Sequence, residues 1–181
     1  KASLDEIRAM VGVLRNSEGE VAETVPTQGT KDVSGYVAYL NSAGISCSFD
    51  DEHYERSHVP ALVDLAFARI LKEATTNIVK HASASTVRIV LSSNSQEATL
   101  EITDDGCGMG IAREIDSLDA FSQVFRDTGE EGRALMGNGL RGMFERAHLI
   151  GAALTIREPV SGGLEIKVSA PIANSSEKRS I

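Results

Sequence analysis

Four side chains able to do chemistry crowd into the stretch I-L-K-E-A-T-T-N-I-V-K-H, residues 70–81. Glu73 and Asn77 stand four apart, and Lys80 and His81 follow one turn later, so on a helix all four project from one face. A carboxylate, an amide, an ammonium and an imidazole on one face suit a Mg-nucleotide site better than a solvated helix surface. The Asn77 amide offers a neutral oxygen to Mg²⁺, a hard cation that prefers octahedral oxygen donors shared with phosphates. Glu73 would orient a metal-bound water or act as a base, Lys80 would meet a phosphate as a point charge, and His81 would reach ribose or phosphate.

A second wall follows in D-D-G-C-G-M, residues 104–109. Residues 98–104 alternate as a strand, which places Leu100, Ile102 and Asp104 on one face. A carboxylate is thereby in phase with the core, and burying it unpaired costs several kcal/mol, so it needs a donor from the protein or from a ligand. At the base of a pocket Asp104 would accept the exocyclic amino proton of adenine, while Gly106 and Gly108 let backbone approach a ligand that a Cβ would obstruct. Asp105 is out of phase and expected at the surface, and Cys107 reads as a small packed hydrophobe.

Downstream, G-N-G-L-R-G (residues 137–142) satisfies the dinucleotide string G-x-G-x-x-G only formally, because G-E-E-G-R-A-L-M precedes it in place of a strand. Its physical content is a glycine turn opening a helix, whose free N–H groups and dipole favour phosphate. The Walker A string is absent, and His53, His58, His81 and His148 lack metal-ligand spacing among themselves.

The elements that must position these groups follow from periodicity. Val33, Val37 and Leu40 predict a short helix ending near Gly44, with a strand over 45–49. Pro60 is expected in the first turn of a helix whose apolar stripe is Val63, Phe67, Ile70, Ala74 and Ile78. Residues 86–91 and 98–104 form a strand pair, and 111–136 is a long acidic loop with a helix around 118–125, of lid-like length. Leu140, Met143, Phe144, Ala147 and Ile150 mark a helix closing at Gly151, and a hairpin of 153–157 and 164–169 turns at Ser161, Gly162 and Gly163. Leu4, Ile7, Val11 and Leu14 repeat at helical spacing, either as a helix packed on its own domain or as the tail of a dimerisation helix.

The chain has 181 residues, enough for one core, and a formal net charge of −8, which disfavours sequence-general nucleic-acid binding. Cys47 and Cys107 have no C-x-x-C spacing, and a reducing, cytosolic setting fits. No run of about 18 apolar residues occurs. A start at Lys1 leads us to expect a piece of a longer chain.

Taken in order, E-A-T-T-N-I-V-K-H, D-D-G-C-G-M and G-N-G-L-R-G-M-F-E-R-A-H-L-I-G resemble the ATP-binding, catalytic domain of two-component sensor histidine kinases, in the GHKL superfamily shared with gyrase and mismatch-repair ATPases. The N-x-x-K-H and G-L-x-G-M-x-E-R strings resemble the NarX/DesK-like subgroup. The resemblance implies an α/β fold, a two-layer α/β sandwich of Bergerat type with a mixed sheet, helices on one side, and ATP held under a lid. It divides the chain into the end of a dimerisation and phosphoacceptor helix (1–16), a linker (17–29), the ATP-binding domain (30–172) and a disordered tail (173–181).

Carried over residue by residue, Asn77 would ligate Mg²⁺, Asp104 would bind the adenine amino group, and Gly106 and Gly108 would shape the base pocket. Gly137 and Gly139 would bring amides to the phosphates, Lys80 and His81 would contact phosphate or ribose, and Met109 and Leu140 belong to the same nucleotide-binding set. Glu73 matches the superfamily's water-activating base. The implied activity is donation of the γ-phosphate of ATP to a histidine on the dimerisation helices of the same kinase, a homodimer, for relay to an aspartate of a response regulator. No nucleic acid and no direct membrane contact are implied for this stretch, whose setting would be cytoplasmic even in a membrane-anchored parent. Two features depart from the family: Leu164 replaces a threonine after paired glycines, and Ala152 replaces the second glycine of another pair. The chain also holds no phosphoacceptor histidine in a helical setting. An anti-sigma-type serine kinase and a non-catalytic nucleotide-sensing scaffold are the alternatives.

Overall fold

The computed structural model describes residues 29–111, 113–127 and 137–172. The expected helix end at 1–16, most of the linker and the tail at 173–181 lie outside the described residues. Alternating sequence produces five strands: β1 (Ser46–His53), β2 (Thr86–Ser93), β3 (Glu97–Asp104), β4 (Ala153–Arg157) and β5 (Glu165–Pro171). They form one mixed sheet in the order β1-β2-β3-β5-β4, parallel between β1 and β2 and antiparallel elsewhere. Register sets Ile89, Ile102, Ile166 and Ile156 side by side across four strands, and all four are buried. The opposite face carries ion pairs instead, Arg157 with Glu165 and Lys167 with Glu101. This two-sidedness is what period-two sequence predicts for a sheet covered on one face.

The cover consists of α1 (Val33–Ser42), α2 (Ala61–Asn77), α3 (Leu118–Asp127) and α4 (Asn138–Leu149). The stripe Val63, Phe67, Ile70, Ala74 and Ile78 is buried along its whole length, each large apolar side chain contributing about 1.5–3 kcal/mol. Phe121 of α3 stacks on Phe125 and meets Phe144 of α4 at 5.9 Å between ring centroids. The two-layer α/β arrangement matches the expectation.

Three local expectations change. Pro60 lies outside α2, at the position preceding its first residue: its ψ of 139° is extended, and its carbonyl accepts the N–H groups of Val63 and Asp64. β1 runs four residues past position 49 because Asp50–His53 still pair with β2 through a register shift, and the acidic residues suit an edge strand exposed to other chains. The segment 111–127 carries its expected helix as α3, but the stretch before it is pinned and not a free loop: Ile115 exchanges both backbone hydrogen bonds with Ile156 on the edge of β4, at 2.8 Å each, and is fully buried. Residues 128–136, where the rest of the expected lid falls, lie outside the described set.

Before α2, a 3₁₀ turn (Gly29–Asp32) docks on Asp64, whose carboxylate accepts Thr30 N–H at 3.0 Å, Thr30 Oγ1 at 2.5 Å and the Tyr54 hydroxyl at 2.9 Å.

Candidate nucleotide site

α2 does not end as an α-helix. Residues Ile78–Ala82 form a π turn, closing i→i+5 bonds, and Ser83 at φ 51° stops it in the left-handed region. The wider turn changes the phase of the residues after Asn77. His81 faces a cavity beside Asn77 and Ile78, whereas Lys80 is exposed and outside the cavity lining. The expected single face therefore splits between Lys80 and His81, where the helix changes type at Ile78.

The cavity is a narrow, mostly apolar cleft between α2, the end of β3 and α4. Ala74, Ile78, Ile102 and Ile166 give it apolar sides. Asn77 and His81 line it from the helix side, Asp104 from the end of β3, Gly108 and Met109 from the turn beyond, and Leu140 from α4. Six of the candidate residues thus surround one space. Glu73, Lys80, Gly106, Gly137 and Gly139 fall outside that lining.

Asp104 is 5% exposed, in phase with Ala98, Leu100 and Ile102 on the buried face of β3. Burial raises its pKa, the Gly106 and Leu164 amides lower it, and the neighbouring Asp105 charge raises it again. One donor is fixed: Gly106 N–H reaches Oδ1 at 2.8 Å. Asp105 is exposed as expected, and its carboxylate accepts the N–H groups of Thr86 and Ser85 at 2.8 and 2.7 Å, which holds its pKa low. It ties the turn to the start of β2.

The glycines have distinct tasks. A Cβ on Gly106 would stand 2.3 Å from the Ala82 carbonyl oxygen, and Cys107 N–H donates to that same oxygen at 2.8 Å. The acidic turn is thereby laced to the π turn, which fixes the two walls relative to each other. Cys107 is exposed there, not packed as its size suggests. Gly137 precedes the first residue of α4 and is exposed, while Gly139 faces the Glu73 carboxylate, which a Cβ would overlap.

Two residues shape the cavity through contacts that no local sequence signal announces, although Gly163 is legible as part of a turn. The Glu158 carboxylate, just past β4, accepts Met109 N–H in a short hydrogen bond and Ile111 N–H at 3.1 Å, and so pins the turn that carries Gly108 and Met109. Gly163, at φ +80°, lies so close to Asp104 that a Cβ would sit 1.8 Å from its carbonyl oxygen. That approach lets Leu164 C=O accept Asp104 N–H at 3.0 Å. Their partners are tens of residues away, so only the fold reveals them.

The two departures are accommodated. The Leu164 side chain lines the cavity. Ala152 donates its N–H to Ala147 C=O at 2.9 Å and is not among the positive-φ residues, so no glycine is required there.

Sensor histidine kinase YxjM of Bacillus subtilis (strain 168) is 30% identical over 179 residues, which is 97% of this chain and 36% of that protein. Signal transduction histidine-protein kinase/phosphatase DegS of Brevibacillus brevis is 29% identical over 95% of this chain and 38% of its own length. Sensor histidine kinase DesK of Bacillus subtilis (strain 168) is 25% identical over 92% and 40%. The chain thus spans well under half the length of these relatives. Among solved structures, the histidine kinase domain from Erythrobacter litoralis EL346 blue-light activated histidine kinase superposes with a TM-score of 0.56 at 15% identity, covering 94% of this chain and 76% of that one. Acinetobacter baumannii histidine kinase AdeS gives 0.55 at 15% identity, covering 94% and 77%, so both share the fold. Residues 63–174, well over half the chain and including both cavity walls, match the histidine kinase-, DNA gyrase B- and HSP90-like ATPase family, and the chain belongs to that family.

Proposed function

We propose that this chain binds Mg-ATP in the cavity between α2 and the end of β3 and donates its γ-phosphate to a histidine of a sensor histidine kinase. The observation that carries the reading is that Asn77 and Asp104, from a helix and a strand, face the same apolar space. Asp104 accepts the adenine amino group with the carboxylate oxygen that Gly106 leaves available. Ile102, Ile166 and Ala74 bury the base.

The donor set suits Mg²⁺ rather than zinc. Among the described residues no cluster of three His, Cys, Asp or Glu side chains is placed to hold a metal, while Asn77 presents one neutral oxygen. Mg²⁺ typically takes one or two protein oxygens and fills its octahedron with phosphates and water. When bound, it neutralises charge on the phosphates. Asn77 would hold it, His81 and Leu140 would border the sugar and phosphates, and the first turn of α4 would offer its amides. Glu73 takes no hydrogen bond or ion pair among the described residues, which leaves both oxygens available as proton acceptors near the phosphate end.

The acceptor histidine would come from dimerisation helices of the parent chain, acting as a homodimer, with an aspartate of a response regulator as the next acceptor. The names of the relatives support this reading. No helix among the described residues is long and apolar enough to cross a membrane. We place the domain on the cytoplasmic side of the cell.

Titration calorimetry with Mg-ATP tests the site. The chain should bind, and Asn77→Asp should bind at least about tenfold more weakly, a loss of about 1.4 kcal/mol. No detectable binding by either overturns the assignment.

A further inference from the structure

Beyond the cavity, α2 and α4 continue side by side and carry charges that the proposed nucleotide contacts do not use. On α2, Arg69 and Glu73 lie one turn apart on the line that leads to Asn77. On α4, Gly139, Gly142 and Arg146 follow at helical spacing. The two glycines leave a trough. The Glu73 carboxylate lies over Gly139, and the Arg146 guanidinium folds back over Gly142, where a Cβ would stand 3.0 Å from its Nη1. Carboxylate and guanidinium therefore sit one behind the other along the same helix.

They do not bond. Among the described residues Arg146 makes no ion pair within 4.0 Å, and its Nε and Nη1 are buried without a hydrogen-bond partner, as is Nε of Arg69. Buried unsatisfied donors are rare and call for a reason. Burial lowers the Arg146 pKa, the Glu73 charge raises it, Arg69 lowers it again and the adjacent Glu145 raises it, so Glu73 and Arg69 act on Arg146 through space without touching it. A carboxylate chelated by arginine would have its lone pairs filled and would be a poor proton acceptor. A carboxylate flanked by cations that do not chelate it keeps its oxygens unspent.

We propose that Arg146 is a positioning residue for phosphoryl transfer, in which the unprotonated imidazole nitrogen of the acceptor bonds to the γ-phosphorus as the bond to the β–γ bridging oxygen breaks and ADP leaves; Arg146 holds the Glu73 carboxylate by charge alone in the trough above Gly139, to take the proton released from the other ring nitrogen. The inference rests on the proposed kinase function and assigns Arg146 no contact with nucleotide. Arg69 supplies the second cation of the same field.

The test measures two quantities, Mg-ATP affinity of this chain by calorimetry and single-turnover phosphohistidine formation in the full-length kinase that carries it. Arg146→Gln should leave Kd within about threefold and lower the transfer rate about tenfold or more, a fraction of the roughly 10²–10⁴ that a positioned acid or base contributes. Arg146→Lys should restore most of the rate, since charge and not hydrogen bonding is required. In a Glu73→Gln background, Arg146→Gln should cost less than about threefold, because its effect passes through Glu73. Arg146→Met, apolar and of similar length, should reproduce the glutamine result if Arg146→Gln fails to fold. Wild-type transfer in Arg146→Met, no rescue by lysine, or losses that multiply in the double variant would each overturn the proposal. A wild-type chain that does not bind Mg-ATP would instead overturn the functional reading.

Discussion

Replacing Asp104 by Asn should have opposite effects on stability and on nucleotide affinity. The side chain is 5% exposed, and its pKa is raised, first by burial. A raised folded-state pKa means that the fold favours the protonated acid. Its contribution to stability is complete below the unfolded-state value and is lost as pH rises through the folded-state value. At pH 7 the ionised carboxylate therefore costs the nucleotide-free chain stability. Asparagine keeps an oxygen for Gly106 N–H, now at 2.8 Å from Oδ1, and carries no charge. The melting temperature of Asp104→Asn should exceed that of the parent at pH 7, by about 2–4 °C for each kcal/mol recovered, and the gap should close toward pH 4.

Affinity moves the other way. A hydrogen bond to a charged acceptor is worth about 1.5–3 kcal/mol and one to a neutral acceptor about 0.5–1.5 kcal/mol. The difference, about 1.5 kcal/mol, is about a tenfold rise in Kd for ATP. GTP presents a carbonyl where ATP presents the amino group, so the parent chain should reject it. Asparagine can turn its NH₂ toward that carbonyl, and the preference for ATP should shrink. Scanning calorimetry between pH 4 and 8, with titrations of both nucleotides, measures all three effects. An ATP affinity unchanged within about twofold, or equal binding of ATP and GTP by the parent, refutes the role of Asp104 as reader of the base.

Two further substitutions test the framework. Gly163→Ala, at φ +80° with its Cβ 1.8 Å from the Asp104 carbonyl oxygen, combines a left-handed penalty of about 1–2 kcal/mol with overpacking of about 1–3 kcal/mol. Its urea midpoint should fall accordingly and ATP binding should weaken; an unchanged midpoint refutes the close approach. Asp64→Asn removes the charge beneath Thr30 and Tyr54 and should cost about 1–3 kcal/mol. Burial and then the Asp64 charge push the Tyr54 hydroxyl far above the ordinary tyrosine value. That contribution is intact below the ordinary value and lost as pH rises beyond it, so absorbance titration should show Tyr54 ionising at lower pH in Asp64→Asn than in the parent. An identical titration would mean that the hydrogen-bonded cluster is absent in solution.

The residues that the sequence reveals and those that it hides divide along a physical line. Asn77 and Asp104 are legible because each is fixed by the period of its own element, 3.6 residues for α2 and two for β3, and because both elements are amphipathic enough to orient themselves. Lys80 escapes the same rule: once the helix widens at Ile78, extrapolating the α period one turn further gives the wrong face. Glu158, Gly163 and Arg146 belong to a third class. Glu158 acts on amides 47 and 49 residues upstream, Gly163 presses on Asp104, and Arg146 feels the Glu73 charge from a second helix, so no window along the chain contains both partners. The residues proposed to touch nucleotide lie mostly in short contiguous motifs, whereas the residues that hold them in place act on partners far away in the sequence, even where, as for Arg146 and Gly163, they stand in a stretch already singled out. A chain with intact motifs and an altered Glu158 or Gly163 would still match the family over 63–174, yet its cavity would lose the turn that shapes it. The framework residues are therefore the sharper test of whether such a domain works.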